Sequence, residues 1–108
     1  SYATLPMMQR LIQTYCTSRP DFLETLYLLN QVDSRRQLSQ DILRVLRVSV
    51  GSHFVGAIHT DEAVPEALAL STSVLDYGQH SQARHDILTC AALVAARMQA
   101  VSTFPGRA

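Results

Sequence analysis

The sequence contains no lysine and no tryptophan, and charged residues make up only 17% of its 108 residues. All nine basic residues are arginine, and only three of the nine acidic residues are glutamate. The formal net charge of zero argues against broad electrostatic attraction to nucleic acid or to anionic membranes. Protein interfaces are depleted in lysine and glutamate and enriched in arginine. The sparse charge therefore indicates a surface that another protein covers.

Long apolar runs are also missing, since no apolar run approaches the roughly 20 residues that a membrane-spanning helix needs. No charged-then-apolar segment at the start of the sequence predicts a signal peptide. The two cysteines, Cys16 and Cys90, both fall in apolar patterns of helical period, which predicts reduced core thiols and a cytoplasmic location. The length predicts a single domain over residues 1–108. The chain begins Ser1-Tyr2 without methionine, as expected of an excised or processed piece.

Motifs that would carry catalysis are not found in the sequence. His53 and His59 are six residues apart, whereas two zinc ligands on one helix usually stand three or four apart. The sequence has no GxSxG elbow and no Gly-rich phosphate loop, and both cysteines fall within predicted helices rather than at helix starts. We therefore predict a protein that is not an enzyme, without catalytic residues, metal or cofactor.

Apolar residues at spacings of three and four predict an all-α fold of about five helices. Start signals for helices stand at "SRPD", at "DSRRQ" and at "TDE", and Gly78 is placed to end the fourth helix. The predicted helices cover approximately residues 5–16, 21–32, 34–50, 61–77 and 81–98. Because short connections favour antiparallel neighbours, we expect an irregular antiparallel bundle or a repeat-like helical stack.

The predicted second helix, "FLETLYLLNQV", is apolar on nearly all sides, which is typical of an element buried in the core or at an interface. The predicted third helix has an inner apolar stripe and an opposite stripe rich in arginine. We predict that these two helices bind a partner through apolar anchors and a polar rim. The anchors are Phe22, Leu26 and Leu29, and the rim is Arg36, Arg44 and Arg47.

The stretch "LRVSVGSHFVGAIHTDE" over residues 46–62 is most simply a connection between the third and fourth helices. Two alternatives stay open. Residues 45–58 read as two alternating runs around a Gly-Ser turn, which predicts a short hairpin and an α+β fold. In addition, "DILRVLRVS" resembles the first helix and turn of a helix-turn-helix, which implies DNA binding through residues 38–58. The segment 50–58 departs from that family because it has no Arg, Lys, Asn or Gln to read bases.

The last two predicted helices, over about residues 66–97, resemble one tetratricopeptide-type helical hairpin. Gly78 stands at the turn and Ala83 at the helix crossing, while Ser71 and Cys90 replace the residues that the family favours. The resemblance covers a single copy, and such repeats need neighbours to bury their faces. It implies a helical surface that binds other proteins.

These patterns together predict a non-enzymatic domain for protein–protein interaction or oligomerisation, with an adaptor, chaperone-like or regulatory role. The expected mechanism is burial of an apolar helix face against a partner helix, in a homodimer or a hetero-complex. Nucleic acid and membranes are not expected as partners. The helix-turn-helix DNA-binding regulator is the alternative function.

Overall fold

The computed structural model describes residues 4–102 and contains five α-helices and two β-strands within that range. The elements are α1 (Thr4–Tyr15), β1 (Tyr27–Val32), α2 (Gln37–Val50), β2 (Phe54–His59), α3 (Ala63–Ala69), α4 (Val74–Tyr77) and α5 (Gln82–Ser102). A single 3-10 turn, Gly51–His53, joins α2 to β2. None of the helices in this range is long and apolar enough to cross a membrane.

The two strands pair in parallel, and α2 is the connection that carries the chain from one to the other. Parallel strands cannot be joined by a tight turn, so a crossover segment, usually a helix, has to lie between them. The register pairs Tyr27 with Phe54, Leu29 with Ala57 and Val32 with His59. The prediction of an all-α fold is therefore wrong, and the fold is α+β.

The predicted second helix is the main source of that error, because residues 22–26 are irregular and β1 follows at Tyr27. A short continuous apolar run fits a buried helix and a buried parallel strand equally well by its period. The pairing of this run with β2 decides between them. The paired residues Tyr27 and Phe54 are 27 positions apart in the chain. Local sequence carries no signal of that contact.

Residues 46–62 are not simply a connection between two helices, as predicted, and they do not form the alternative hairpin. Gly51, with a φ of 56°, ends α2, and residues 54–59 then form β2. The alternative was right in placing a strand here, but wrong about its partner, because β2 pairs with β1 and not with residues 45–50, which belong to α2. The second helix of a helix-turn-helix is not formed either, since residues 50–58 are mostly the 3-10 turn and β2.

The first, third and fifth predicted helices correspond to α1, α2 and α5. The fourth is interrupted, because α3 ends at Ala69 and α4 begins only at Val74, with Ser71 between them at a φ of 53°. The tetratricopeptide-like segment therefore begins with two short helices. Nothing in the structure tests the resemblance itself, which stays a prediction.

The core is small for a chain of this length. Six apolar residues among the described residues are buried: Val32, Leu43, Val55, Ala67, Ala83 and Cys90. They come from both strands, from α2 and α3 and from the inner side of α5, which packs mainly against β2. The two cysteines are free; Cys90 is buried as expected and Cys16, just after α1, is half-buried. The packing of α5 on β2 is the tightest contact between elements other than the strand pair.

Gly56 allows this close packing, because a Cβ atom at its position would lie 2.9 Å from the Cys90 Sγ atom. Its φ of 146° is also a conformation that other residues rarely adopt. We expect Gly56→Ala to lower the free energy of unfolding by about 2 kcal/mol or more, measured by urea denaturation. Gly51→Ala, where the added Cβ meets open space, should cost about 1–3 kcal/mol from the backbone conformation alone, because a φ of 56° with a ψ of −127° is sparsely populated by residues other than glycine.

A double variant separates the two causes at Gly56. Adding Cys90→Ala to Gly56→Ala removes the Sγ atom, so the double variant should lose less stability than the sum of the two single variants. Strictly additive losses would show that the contact with Cys90 is not what requires glycine.

Candidate functional site

A polar crevice lies where both parallel strands end, between the segment that follows β1 and the segment that follows β2. Its volume is about 720 Å³. The carboxyl ends of parallel strands are the edge at which open sheets with helical crossovers bind their ligands. The crevice, as named here, is lined by Asn30, Gln31, Asp33, Arg35, Ile58, His59, Thr60, Asp61, Glu62, Val64 and Pro65.

A bulge at the end of β1 forms one wall of the crevice. Between the paired positions Leu29–Ala57 and Val32–His59, β1 has two residues, Asn30 and Gln31, where β2 has one. Gln31 has a φ of 56°, and its N–H donates to the Asn30 Oδ1 atom at 2.9 Å. A left-handed conformation costs a residue with a Cβ about 1 kcal/mol or more. Bulges and strain of this kind recur beside functional sites.

The Asp61 carboxylate forms the opposite wall and joins two helix starts. Its Oδ1 atom accepts the Ala63 N–H at the start of α3, and its Oδ2 atom accepts the Ala83 N–H at the start of α5, both at 2.9 Å. These backbone hydrogen bonds, that from Ala83 first, hold the pKa of Asp61 below its usual value. The role of Asp61 at a helix start was expected from the sequence, whereas its bond to α5 was not.

Asp86, on α5, is the one fully buried charged residue that the structure describes, and it fixes His59 at the end of β2. Its Oδ2 atom lies 2.9 Å from both the His59 backbone nitrogen and the His59 Nδ1 atom, and Gln82 donates to its Oδ1 atom at 2.8 Å. Burial raises the pKa of Asp86, but the hydrogen bonds from His59 and Gln82 outweigh burial and lower it overall. The carboxylate is therefore held charged.

The charges of the crevice limit what it can bind. Three carboxylates, Asp33, Asp61 and Glu62, face one guanidinium, that of Arg35, which is paired with Asp33 at 3.1 Å. The bond from Arg35 is the largest cause of the lowered pKa of Asp33. An acidic crevice of this kind disfavours phosphate and suits a neutral or cationic group that donates hydrogen bonds. Within residues 4–102 no three His, Cys, Asp or Glu side chains are placed to hold a metal ion.

A second concave surface, the apolar groove, lies between α1 and α2 with β1 as its floor. Its volume is about 370 Å³. The lining side chains come from all three elements: Leu5 and Met8, then Tyr27, Leu28 and Leu29, then Leu38, Ile42, Val45 and Leu46, with Thr4 at one end. Leu38 and Val45 are exposed, although both belong to the stripe that the sequence assigns to the inside of a helix. The groove is thus an apolar surface open to solvent.

The three anchors predicted from the sequence do not share a helix face. Leu29 is half-buried in β1 and lines the apolar groove. Phe22 and Leu26 are half-buried in the irregular segment before β1, and Phe22 lines a separate shallow depression with Leu23 and His53. The structure therefore brings only Leu29 of the three anchors to the apolar groove.

The three predicted rim arginines are all exposed along α2, at its N-cap and on its outer side. Arg44 pairs with Asp41 at 3.4 Å, and the Arg47 guanidinium lies 5.8 Å from the centre of the Phe54 ring. Arg36 is the N-cap residue, without a side-chain capping bond. Arg44 adjoins Val45 in sequence, so the helix that walls the groove also carries these charges.

An ion-paired cluster that the sequence analysis missed connects the end of α5 to the segment before β1. Arg97 donates to both carboxylate oxygens of Glu24 and, at 3.4 Å, to the Ser52 carbonyl oxygen. The His53 Nε2 atom lies 3.4 Å from Glu24. The bond from Arg97 is the main reason that the pKa of Glu24 is lowered. Glu24 and Arg97 are 73 residues apart, so no spacing in the sequence signals the pair.

The fold and its crevice define an α+β protein with parallel strands and a polar site at their carboxyl ends. Residues 13–94, more than half of the chain, match the model of a family described as cellulose biosynthesis protein BcsQ. The chain belongs to this family. Searches of curated proteins and of solved structures gave no significant match.

We expect Asp86→Asn to lower the free energy of unfolding by about 1–2 kcal/mol at neutral pH, because the buried charged acceptor of the His59 bonds is lost. A carboxyl group with a lowered folded-state pKa stabilises the fold above its unfolded pKa, near 4, and loses that contribution as the pH falls through the folded value. The stability difference between the two proteins should therefore disappear in acid. Urea denaturation at several pH values measures it.

Asp76→Asn is the matched control, because Asp76 is exposed on α4. It should leave stability nearly unchanged at every pH. A loss of stability equal to that of Asp86→Asn would contradict the assignment of Asp86 as the buried, charged acceptor of the His59 hydrogen bonds.

Gln31→Gly should raise the free energy of unfolding by about 1 kcal/mol, because glycine adopts the left-handed conformation without a Cβ penalty. The same change at Asn30, which does not have a positive φ and whose Oδ1 atom accepts the Gln31 N–H, should lower stability. Thermal denaturation of the two variants checks this. If Gln31→Gly is destabilising, the Gln31 side chain contributes more to the fold than its strain costs.

Proposed function

We propose that this protein takes part in cellulose biosynthesis as a non-enzymatic component that acts by binding protein, with the apolar groove as its contact surface. Membership of the BcsQ family supports the part of this proposal that concerns cellulose biosynthesis. The contact is between proteins in a reducing, cytoplasmic compartment, as the two free thiols favour. A regulatory or scaffolding role fits a protein with these properties.

The observation that carries the proposal is the amount of surface left uncovered, to which many exposed large apolar side chains contribute. A compact monomer of 12.0 kDa exposes about 6,000 Å². This chain exposes 7963 Å² and has a radius of gyration of 16.4 Å, against about 13 Å for a compact chain of its length. The surplus exceeds the roughly 800 Å² that each partner contributes to a standard interface.

The position of the exposed side chains supports the groove as the contact. Leu28, Leu38, Met8 and Val45 are exposed large apolar residues that line it. Apolar patches of this kind, flanked by polar residues, mark protein-binding sites. In this proposal Leu29 is an anchor, and Arg44 and Arg47 on the same helix contribute to the rim. Phe22 and Leu26 would support the strand from the segment before it.

The test is made in cellulose-producing cells that encode this chain, with Leu38→Arg or Val45→Arg replacing the natural residue. Each change places an unpaired charge in the groove, which is costly when a partner covers it. We expect cellulose output, measured as glucose released by cellulase, to fall several-fold.

Val48→Arg is the matched control, since Val48 is on the same helix, is 83% exposed and does not line the groove. It should leave cellulose output unchanged. Circular dichroism of the purified variants has to show an intact fold. Unchanged output with folded groove variants would overturn the proposal.

A further inference from the structure

The inner side of α5 is held differently in the two halves of the helix. The first half, residues 82–90, has three buried side chains there, those of Ala83, Asp86 and Cys90. At the same helical spacing the inner side continues into the second half, residues 91–102, through Val94 and Arg97, which are only half-buried. Cys90 is the last buried residue of α5 within residues 82–100. Buried packing therefore holds the first half, and the second half has a charged residue in the corresponding position.

The Arg97 guanidinium joins the second half of α5 to the segments that precede both strands. It donates to both carboxylate oxygens of Glu24, before β1, and to the Ser52 carbonyl oxygen, in the 3-10 turn before β2. Glu24 also has the His53 Nε2 atom of that turn at 3.4 Å. An arginine that binds a carboxylate through two nitrogens makes one of the stronger side-chain contacts in proteins. The two side chains are 24% and 33% exposed, so water weakens this pair less than a pair on the open surface.

An ion pair differs from buried packing in what can release it. Dissolved salt screens the attraction between two charges, whereas it does not weaken apolar packing. The two halves of α5 therefore respond differently to salt. A groove of about 450 Å³ also lies beside the second half, and Val94 and Met98 line it together with Leu28 and Ile58 of the two strands. Movement of the second half would change the width of this groove.

We propose that Glu24 and Arg97 form a latch on the second half of α5. When the pair is closed, this half lies against the segment before β1. When the pair is broken, residues 91–102 move away from that segment, while the first half stays packed on β2. The hinge follows Cys90, where buried packing ends. An anionic group that competes for Arg97 opens the latch in the same way as salt. The latch goes beyond the proposed function and does not depend on it.

The experiment is amide hydrogen exchange of the purified natural chain at low and at high sodium chloride concentration, followed residue by residue along α5. We expect the amides of residues 95–100 to exchange several-fold faster at high salt, with those of residues 84–90 unchanged. Glu24→Gln should speed exchange at 95–100 by about ten-fold at low salt and abolish the effect of salt there. Adding Arg97→Gln to Glu24→Gln should bring no further increase, because the pair is already broken.

Arg84→Gln is the matched control, because Arg84 is in the first half of α5 and donates to the Leu75 carbonyl oxygen at 3.0 Å. It should leave both the exchange at 95–100 and its salt dependence as they are in the natural chain. Equal acceleration of 84–90 and 95–100 in Glu24→Gln would overturn the proposal, since the pair would then stabilise the whole fold and not one half of a helix. Exchange at 95–100 that does not depend on salt in the natural chain would also overturn it, and this measurement requires no variant to fold.

Discussion

The parallel pairing of β1 with β2 is the constraint on which the rest of this structure depends. Because both strands run in the same direction, the chain must return across the sheet before the second strand begins, and α2 makes that return. The same geometry brings two strand ends to one edge, where the crevice forms. Parallel strands also need other elements packed on both faces of the sheet. Helix α5 packs extensively on β2, whereas no helix packs as extensively on β1.

Two carboxylates hold the helices to that strand pair. Asp61 accepts backbone N–H groups from the starts of α3 and α5, and Asp86 accepts two hydrogen bonds from His59. Both groups lie in the crevice or directly behind it, so the residues that shape the site also stabilise the fold. The apolar groove has a different basis, because four of its large apolar side chains, those of Met8, Leu28, Leu38 and Val45, are exposed. In the proposed function, the partner protein binds at this surface.

Part of the candidate site could be predicted from the sequence. The interpretation of Asp61 as a helix-start residue is confirmed by its bond to Ala63, and Leu29 does line the larger apolar surface. Asp86 was missed, because a carboxylate in the middle of a helical pattern is usually solvated, and its partner His59 is 27 residues away. The pair of Glu24 and Arg97 was missed for the same reason at a longer separation. The predicted anchors Phe22 and Leu26 were assigned to a helix that does not form.

The sequence by itself determined three helices from their apolar period, α1, α2 and α5, together with the low charge and the end of α2 at Gly51. Only the tertiary structure decided that residues 27–32 and 54–59 are strands. A short apolar run has no period that separates a strand from a helix, and the free energy that favours the strand comes from hydrogen bonds to a distant segment. Tertiary pairing also created the crevice, because it brings Asn30 and Asp61 together at the ends of two parallel strands.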